Sequence, residues 1–168
     1  IGVIHHMDDP SVGWAVLTEL LGPSGLMKIG LYSELARKDI VTIREEIAAL
    51  GLRGCESDIR DFRHHIAQST KSHHKQLTMS KDFFSLSELR DAIFHIQEHR
   101  FTIPQLVQCL ENLKLQFCGF TPSELNHELD LYYNGQADRH NLNAWHQFEV
   151  NHPDTFRGMY QFWCQKTA

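Results

Sequence analysis

Histidine is the residue type in excess, with 12 in a chain of 168. Where the histidines stand decides what chemistry they can do. His5 and His6 follow a short apolar run (Ile1, Val3, Ile4) and precede Asp8-Asp9-Pro10. An imidazole with a pKa of about 6.5 can accept a proton from an N–H or O–H group at neutral pH, so either histidine is a candidate general base. The competing reading is a hydrogen-bonding residue at the rim of a sheet. In RDAIFHIQEHR, Asp91, His95 and His99 fall at i, i+4 and i+8 of a helix, with Glu98 on an adjoining face. Two histidines one turn apart beside a carboxylate can chelate a metal. No HExxH-like pattern accompanies them, so a polar face lining a substrate pocket, or facing solvent, is preferred. Tyr32, Ser33 and Arg37 follow a second apolar run and are candidate substrate contacts, although Ser33 equally suits a helix N-cap. His64-His65 and His73-His74 are adjacent pairs, whose side chains diverge and chelate poorly; they read as surface histidines, and no metal is expected.

The elements that must position these residues are legible in the pattern. The apolar run of residues 1–4 predicts a buried strand, and Asp9 with Pro10 predicts the cap and first residue of a helix that stops at Gly22. GPSG is a turn and LMKIGLYS a second strand, so residues 1–33 read as a parallel strand-helix-strand unit. Beginning at its first strand, this unit reads as the back half of a larger fold. Ala36, Ile40, Ile43, Ile47 and Leu50 form one helical stripe ending at Gly51, and a second helix runs from a cap at Ser57 through Ile59, Phe62 and Ile66. STKSHHKQLTMSKD has no period and reads as a mobile loop. Ser85 and Thr102 are the caps of two further helices. KLQFCGF and MYQFWCQK read as late strands, with short helices around Leu125 and Leu129 and at LNAWHQFEV between them. The aromatic tail, from Trp145 to Trp163, reads as core rather than as an acceptor pocket.

Composition narrows the function classes. A net charge of −5, from 16 basic and 21 acidic residues, argues against a nucleic-acid partner. No apolar run is long enough for a membrane span, and no signal-peptide pattern occurs. The four cysteines are scattered without a CxxC pair, which suits a reducing compartment, the cytoplasm by default.

IGVIHHMDDP, a helix, and then LLGPSGLMKIGLYSE resembles the second half of a class I S-adenosylmethionine-dependent methyltransferase. FFSLSELRDAIFHIQEHRFTIPQL and WHQFEVNHPDTFRGMYQFWCQK resemble the cap and final strand of a bacterial subgroup often fused to tetratricopeptide repeats. The resemblance implies an α/β fold, a partial Rossmann-like sheet from the family order 3-2-1-4-5-7-6 with strand 7 antiparallel. Strand 4 would be Ile1–Ile4, strand 5 Leu26–Tyr32, strand 6 Leu115–Phe120 and strand 7 Met159–Gln165. The chain would be a single domain in three parts: the strand-helix-strand unit of 1–33, a helical cap of 34–113 over the carboxyl ends of the strands, and the final strands of 114–168.

The implied activity is methyl transfer, with S-adenosylmethionine as cofactor of the complete enzyme and a small-molecule or protein acceptor. His5 or His6 would be the base, and Tyr32, Ser33, Arg37, Asp91, His95, Glu98 and His99 the acceptor side. Strands 1–3 are absent and no GxGxxG-like loop occurs, so this chain alone is open to binding no cofactor. The alternative is a non-catalytic module that pairs through an exposed strand-4 edge, as a homodimer or with a missing N-terminal half.

Overall fold

The computed structural model describes residues 2–95, 97–121, 124–136 and 138–167. In chain order the elements are α1 (Pro10–Glu19), β1 (Leu26–Ser33), α2 (Lys38–Ala49), α3 (Glu56–Gln68), α4 (Ser72–Thr78), α5 (Leu86–Phe94), β2 (Arg100–Phe101), α6 (Ile103–Asn112), β3 (Leu115–Phe120), α7 (Glu124–Tyr132), α8 (Leu142–Asn151) and β4 (Tyr160–Lys166). Short 3-10 turns cover Ile4–His6 and Lys81–Phe84. Two compact units result: a sheet unit of Ile1–Ala36 with Gln97–Ala168, and a helical unit of Arg37–Ile96.

The sheet unit is built on four strands in the order β2-β1-β4-β3. β4 runs antiparallel to both neighbours, pairing Leu26↔Gln165 through Leu31↔Tyr160 on one side and Leu115↔Lys166 through Phe120↔Phe162 on the other. Its two-residue alternation puts Tyr160, Phe162 and Cys164 wholly inside, while Trp163 is turned outward. The inward face packs with Trp14 of α1, Leu106 and Leu110 of α6, Trp145 and Phe148 of α8, and Phe156. α6 starts where the sequence puts it: Thr102 accepts from the Gln105 amide while the Gln105 side chain accepts from the Thr102 amide, and Pro104 lies in the first turn, where no hydrogen bond is lost.

The helical unit has its own core, made by Ile43 and Ile47 of α2, Ile59, Phe62 and Ile66 of α3, Leu77 of α4, and Leu89 and Ile93 of α5. α2 ends as expected at Gly51, whose φ of +66° suits glycine.

Several expectations are corrected. Ile1 lies outside the described residues, but Gly2 and Val3 are not strand, and Ile4–His6 form a 3-10 turn. A strand there would expose one whole row of peptide groups; instead the His6 amide donates to the Val3 carbonyl and the Met7 amide to the Ile4 carbonyl, so the segment satisfies itself. The parallel strand-helix-strand unit is therefore not formed. The one parallel pair of the sheet among the described residues is β1 with β2, at Tyr32↔Arg100 and Ser33↔Phe101. The expected loop of 69–82 contains α4, seven residues long, too short to show a period but pinned by buried Leu77 and His74. α3 starts after Cys55 rather than at Ser57. Among the described residues no helix is long and apolar enough to cross a membrane.

In the turn into β1, a Cβ on Gly25 would come within 2.9 Å of the Gly22 carbonyl oxygen, which requires glycine there. Ser24 takes φ +57°, a left-handed conformation that costs a side-chain-bearing residue about 1 kcal/mol. Ser24→Gly is expected to raise stability by about 0.5–1 kcal/mol, read as a higher urea midpoint at unchanged m.

Candidate functional site

β1 delivers Tyr32 and Ser33 to its carboxyl end, and the 3-10 turn delivers His5 and His6 beside them. His5 is buried, with its ring 4.2 Å from that of His6 and 4.5 Å from that of Tyr32. Each imidazole meets a backbone carbonyl: His5 Nδ1 lies 3.3 Å from the Gly30 oxygen, and His6 Nδ1 lies 2.9 Å from the Gln97 oxygen. A carbonyl can only accept, so each Nδ1 donates to it, and in a neutral ring the lone pair is then on Nε2. His6 is the half-buried one of the two. Gln97–His99 lace the turn in place: the His99 amide donates to the His5 carbonyl at 2.8 Å, and the Gln97 side chain donates to the Met7 carbonyl and to Asp8.

This lacing is why the expected helical face of Asp91, His95, Glu98 and His99 does not exist. α5 ends at Phe94, His95 is extended at ψ 130°, and the chain turns away to add β2 to β1. Pairing with the sheet overrides the local helical pattern. Glu98 and His99 thus lie in the sheet unit with His5, His6, Tyr32 and Ser33, whereas Arg37, Asp91 and His95 belong to the helical unit. The Glu98 side chain is almost wholly buried, with Arg100 Nη1 3.9 Å from it, and Arg100 also donates to Glu34 at 2.9 Å. His99 and Arg100 border a cleft of about 350 Å³ with Asp9, Trp14, Gln105 and Gln108. Trp14 is fully buried, and its indole N–H has no hydrogen-bond partner among the described residues. A second depression, of about 690 Å³, is apolar and runs between α1 and the early part of β1, along Val12, Val16, Leu20, Leu26 and Met27.

Ser33 is not the N-cap of α2, which starts at Lys38 after Arg37. Its hydroxyl accepts from the Ala36 amide at 3.1 Å and donates to Glu149 Oε1 at 2.5 Å. Glu149, from α8, is fully buried, and the Tyr160 hydroxyl lies 2.7 Å from both of its carboxyl oxygens. Sequence reasoning missed this carboxyl. The available signal was an acid inside an apolar helical run, Phe148-Glu149-Val150. Burial raises the Glu149 carboxyl above its ordinary value, more than the bonds from Ser33 and Tyr160 lower it, and burial likewise raises the Tyr160 phenol.

In the helical unit, His64 and His65 are both exposed as expected, whereas the second pair is split. On α4, His73 lies at the rim while His74 is buried, because neighbouring residues of a helix diverge. Glu46 of α2 accepts from both, with His73 Nε2 and His74 Nε2 each at 2.9 Å, and from Lys71 at 2.8 Å. Burial opposes ionisation of Glu46, but the bonds from Lys71 and His73 and the nearby charges outweigh it and hold the carboxyl down at about 2. All four cysteines are free: Cys164 is buried, Cys109 and Cys118 half-buried and Cys55 exposed.

The raised Glu149 pKa has a definite sign. The folded state holds that proton more tightly than the unfolded state, so the stabilisation is complete below the unfolded value of about 4.5 and is lost as pH rises through the folded value. Stability of the wild-type chain relative to Glu149→Gln is expected to fall as pH rises above about 4.5. Urea denaturation of both proteins at a series of pH values measures this, and parallel profiles contradict it.

No family model matches the chain. The uncharacterized protein syc1184_c of Synechococcus sp. (strain ATCC 27144 / PCC 6301 / SAUG 1402/1) is 31% identical over 130 residues, covering 72% of this chain and 31% of that protein. PKMT2 from Rickettsia typhi, a methyltransferase, superposes with a TM-score of 0.59 at 14% identity, covering 98% of this chain and 33% of PKMT2. The structure of PKMT2 in complex with AdoHcy gives a TM-score of 0.55 at 15% identity over the same shares. The chain thus spans about a third of the length of each of these proteins. At these identities the structural likeness is one of fold, and the mixed α/β fold of this chain is methyltransferase-like.

Proposed function

We propose that this chain is the C-terminal part of an S-adenosylmethionine-dependent methyltransferase and contributes the acceptor side of its site. The observation that supports this most is the likeness in fold to PKMT2 over 98% of the chain. The residues of this chain do not by themselves make a cofactor clamp, since no glycine-rich nucleotide loop occurs in the sequence. In the proposed enzyme that clamp belongs to the remainder, and the cofactor supplies an electrophilic methyl group. What this chain supplies is position and a base. His6, with its proton fixed on Nδ1 by the Gln97 carbonyl, presents Nε2 as the atom that takes the proton of the attacking N–H or O–H group. His5, buried between His6 and Tyr32, is a positioning residue. Tyr32 walls the acceptor, and Ser33 ties the end of β1 to Glu149. Glu98 and His99 join them from the segment before β2.

The test is methyl transfer from labelled S-adenosylmethionine by the longest natural chain that contains this sequence, with calorimetric titration of S-adenosylhomocysteine. Binding at micromolar Kd and transfer are expected. His6→Ala should lower kcat about a hundredfold or more and leave the S-adenosylhomocysteine affinity unchanged. Loss of affinity with kcat preserved would overturn the acceptor-side assignment, and absence of both binding and transfer would overturn the enzyme reading.

One observation favours a second reading, that the chain serves as a binding module. Among the described residues β1 is paired on its outer side only at Tyr32 and Ser33, and the rest of that edge borders the apolar groove of α1. A strand from the rest of the protein or from a second copy would complete it. A monomer in solution whose groove binds no apolar dye would contradict this.

A further inference from the structure

The helical unit holds a cluster that the methyltransferase reading does not use. Glu46, His65 and His74 come from α2, α3 and α4, and each offers a donor atom within 4.8 Å of the other two. We infer that Glu46, His65 and His74 form a structural site for one divalent transition-metal ion of the zinc type, joining these three helices.

Four observations carry the inference. The donors are two imidazoles and one carboxylate, the mixed nitrogen-oxygen set that Zn²⁺ accepts and that Mg²⁺ and Ca²⁺, which prefer oxygen alone, do not. Ligands of a tetrahedral zinc stand about 3.4 Å apart, so the cluster closes on an ion with side-chain movements of about 1 Å or less. His74 is fully buried, its Nε2 lies 2.9 Å from Glu46 Oε2, and its Nδ1 has no hydrogen-bond partner among the described residues. The buried ring already turns Nε2, the nitrogen that would ligate the ion, to the Glu46 carboxylate. Finally, Glu46 uses its other oxygen, Oε1, for Lys71 and His73. Those two donors fix the carboxylate from outside while Oε2 faces His74, which is how partners around a metal ligand orient it. Three ligands leave a fourth position, for water or for His73 after a change of rotamer.

The need for such a staple is physical. The helical unit spans only residues 37–96, and α4 contributes one buried apolar side chain, Leu77, over its seven residues. Small units with thin cores commonly gain stability from a bound metal. The ion would hold α4 on α2 and α3, and its binding would be coupled to the ordering of α4.

The test uses the whole chain, freed of any affinity tag and stripped with a chelator, titrated with ZnCl₂ in a calorimeter. One equivalent is expected to bind with a Kd of about 1 µM or tighter and to raise the melting temperature. Co²⁺ substitution should give the visible absorption of a tetrahedral nitrogen-oxygen site. His74→Ala removes a buried side chain and risks unfolding, so the decisive variant is His65→Ala, at an exposed position. It should weaken binding at least about a hundredfold and erase the cobalt spectrum, while His64→Ala, one residue away, changes neither. Binding that survives both His65→Ala and Glu46→Gln, several weak equivalents, or no saturable binding would each overturn the site.

Discussion

The sheet unit turns on where the peptide groups of β1 find partners. On one side β4 satisfies them from Leu26 to Leu31. On the other side, among the described residues, only Tyr32 and Ser33 are paired, by the two residues of β2. This asymmetry decides what surrounds the strand. The segment before α1 cannot gain a full ladder as a strand, so it closes its own hydrogen bonds in a 3-10 turn. The chain beyond α5 leaves its helical course to make that short parallel pairing. Both detours meet at the carboxyl end of β1, which is why His5, His6, Gln97 and His99 are laced together there.

Burial of polar groups divides the molecule into two kinds of device. At Glu149 a carboxyl is taken out of water, which favours its neutral form although the two hydroxyl groups that meet it favour the charged one. It ties the exit of β1 to α8 and to the first residue of β4. At Glu46 a carboxylate is met by an ammonium and two imidazoles, which favours the charged form. The same side chain is therefore a hydrogen-bonded tie in the sheet unit and an anionic hub in the helical unit. What differs is the depth of burial and the charge of the partners.

Much of this was readable from residue order. The bounds of β3 fall where the apolar run Leu115–Phe120 places them, the alternation in Tyr160, Phe162 and Cys164 marks the inward face of β4, and the caps at Asp9, Ser85 and Thr102 start their helices. These signals are local, so propensity and period suffice. The failures share one physical cause: they depend on contacts distant in sequence. Nothing within residues 1–4 says whether a neighbouring strand exists, and nothing near His95 says that β1 awaits Arg100. α4 is too short for a period, and its order comes from Glu46, 28 residues away from His74. The candidate site shows the same division. His5, His6, Tyr32 and Ser33 could be grouped because each follows an apolar run, whereas Glu149 lies 116 residues from Ser33, and its place among apolar neighbours does not say which hydroxyl groups it meets.

The position of β4 has a consequence for how the protein is made. The Cys164 thiol reaches the Met27 carbonyl across 137 residues, and the strand that carries it lies in the middle of the sheet. A chain leaving the ribosome therefore completes the entire helical unit before any residue of β4 exists. β1 and β3 must wait apart, with their apolar faces uncovered, until residues 160–166 arrive to join them. Closing so long a loop is slow compared with forming helices. The helical unit is thus expected to mature first, and a nascent chain halted before Tyr160 would display an unfinished sheet, the kind of surface that chaperones recognise.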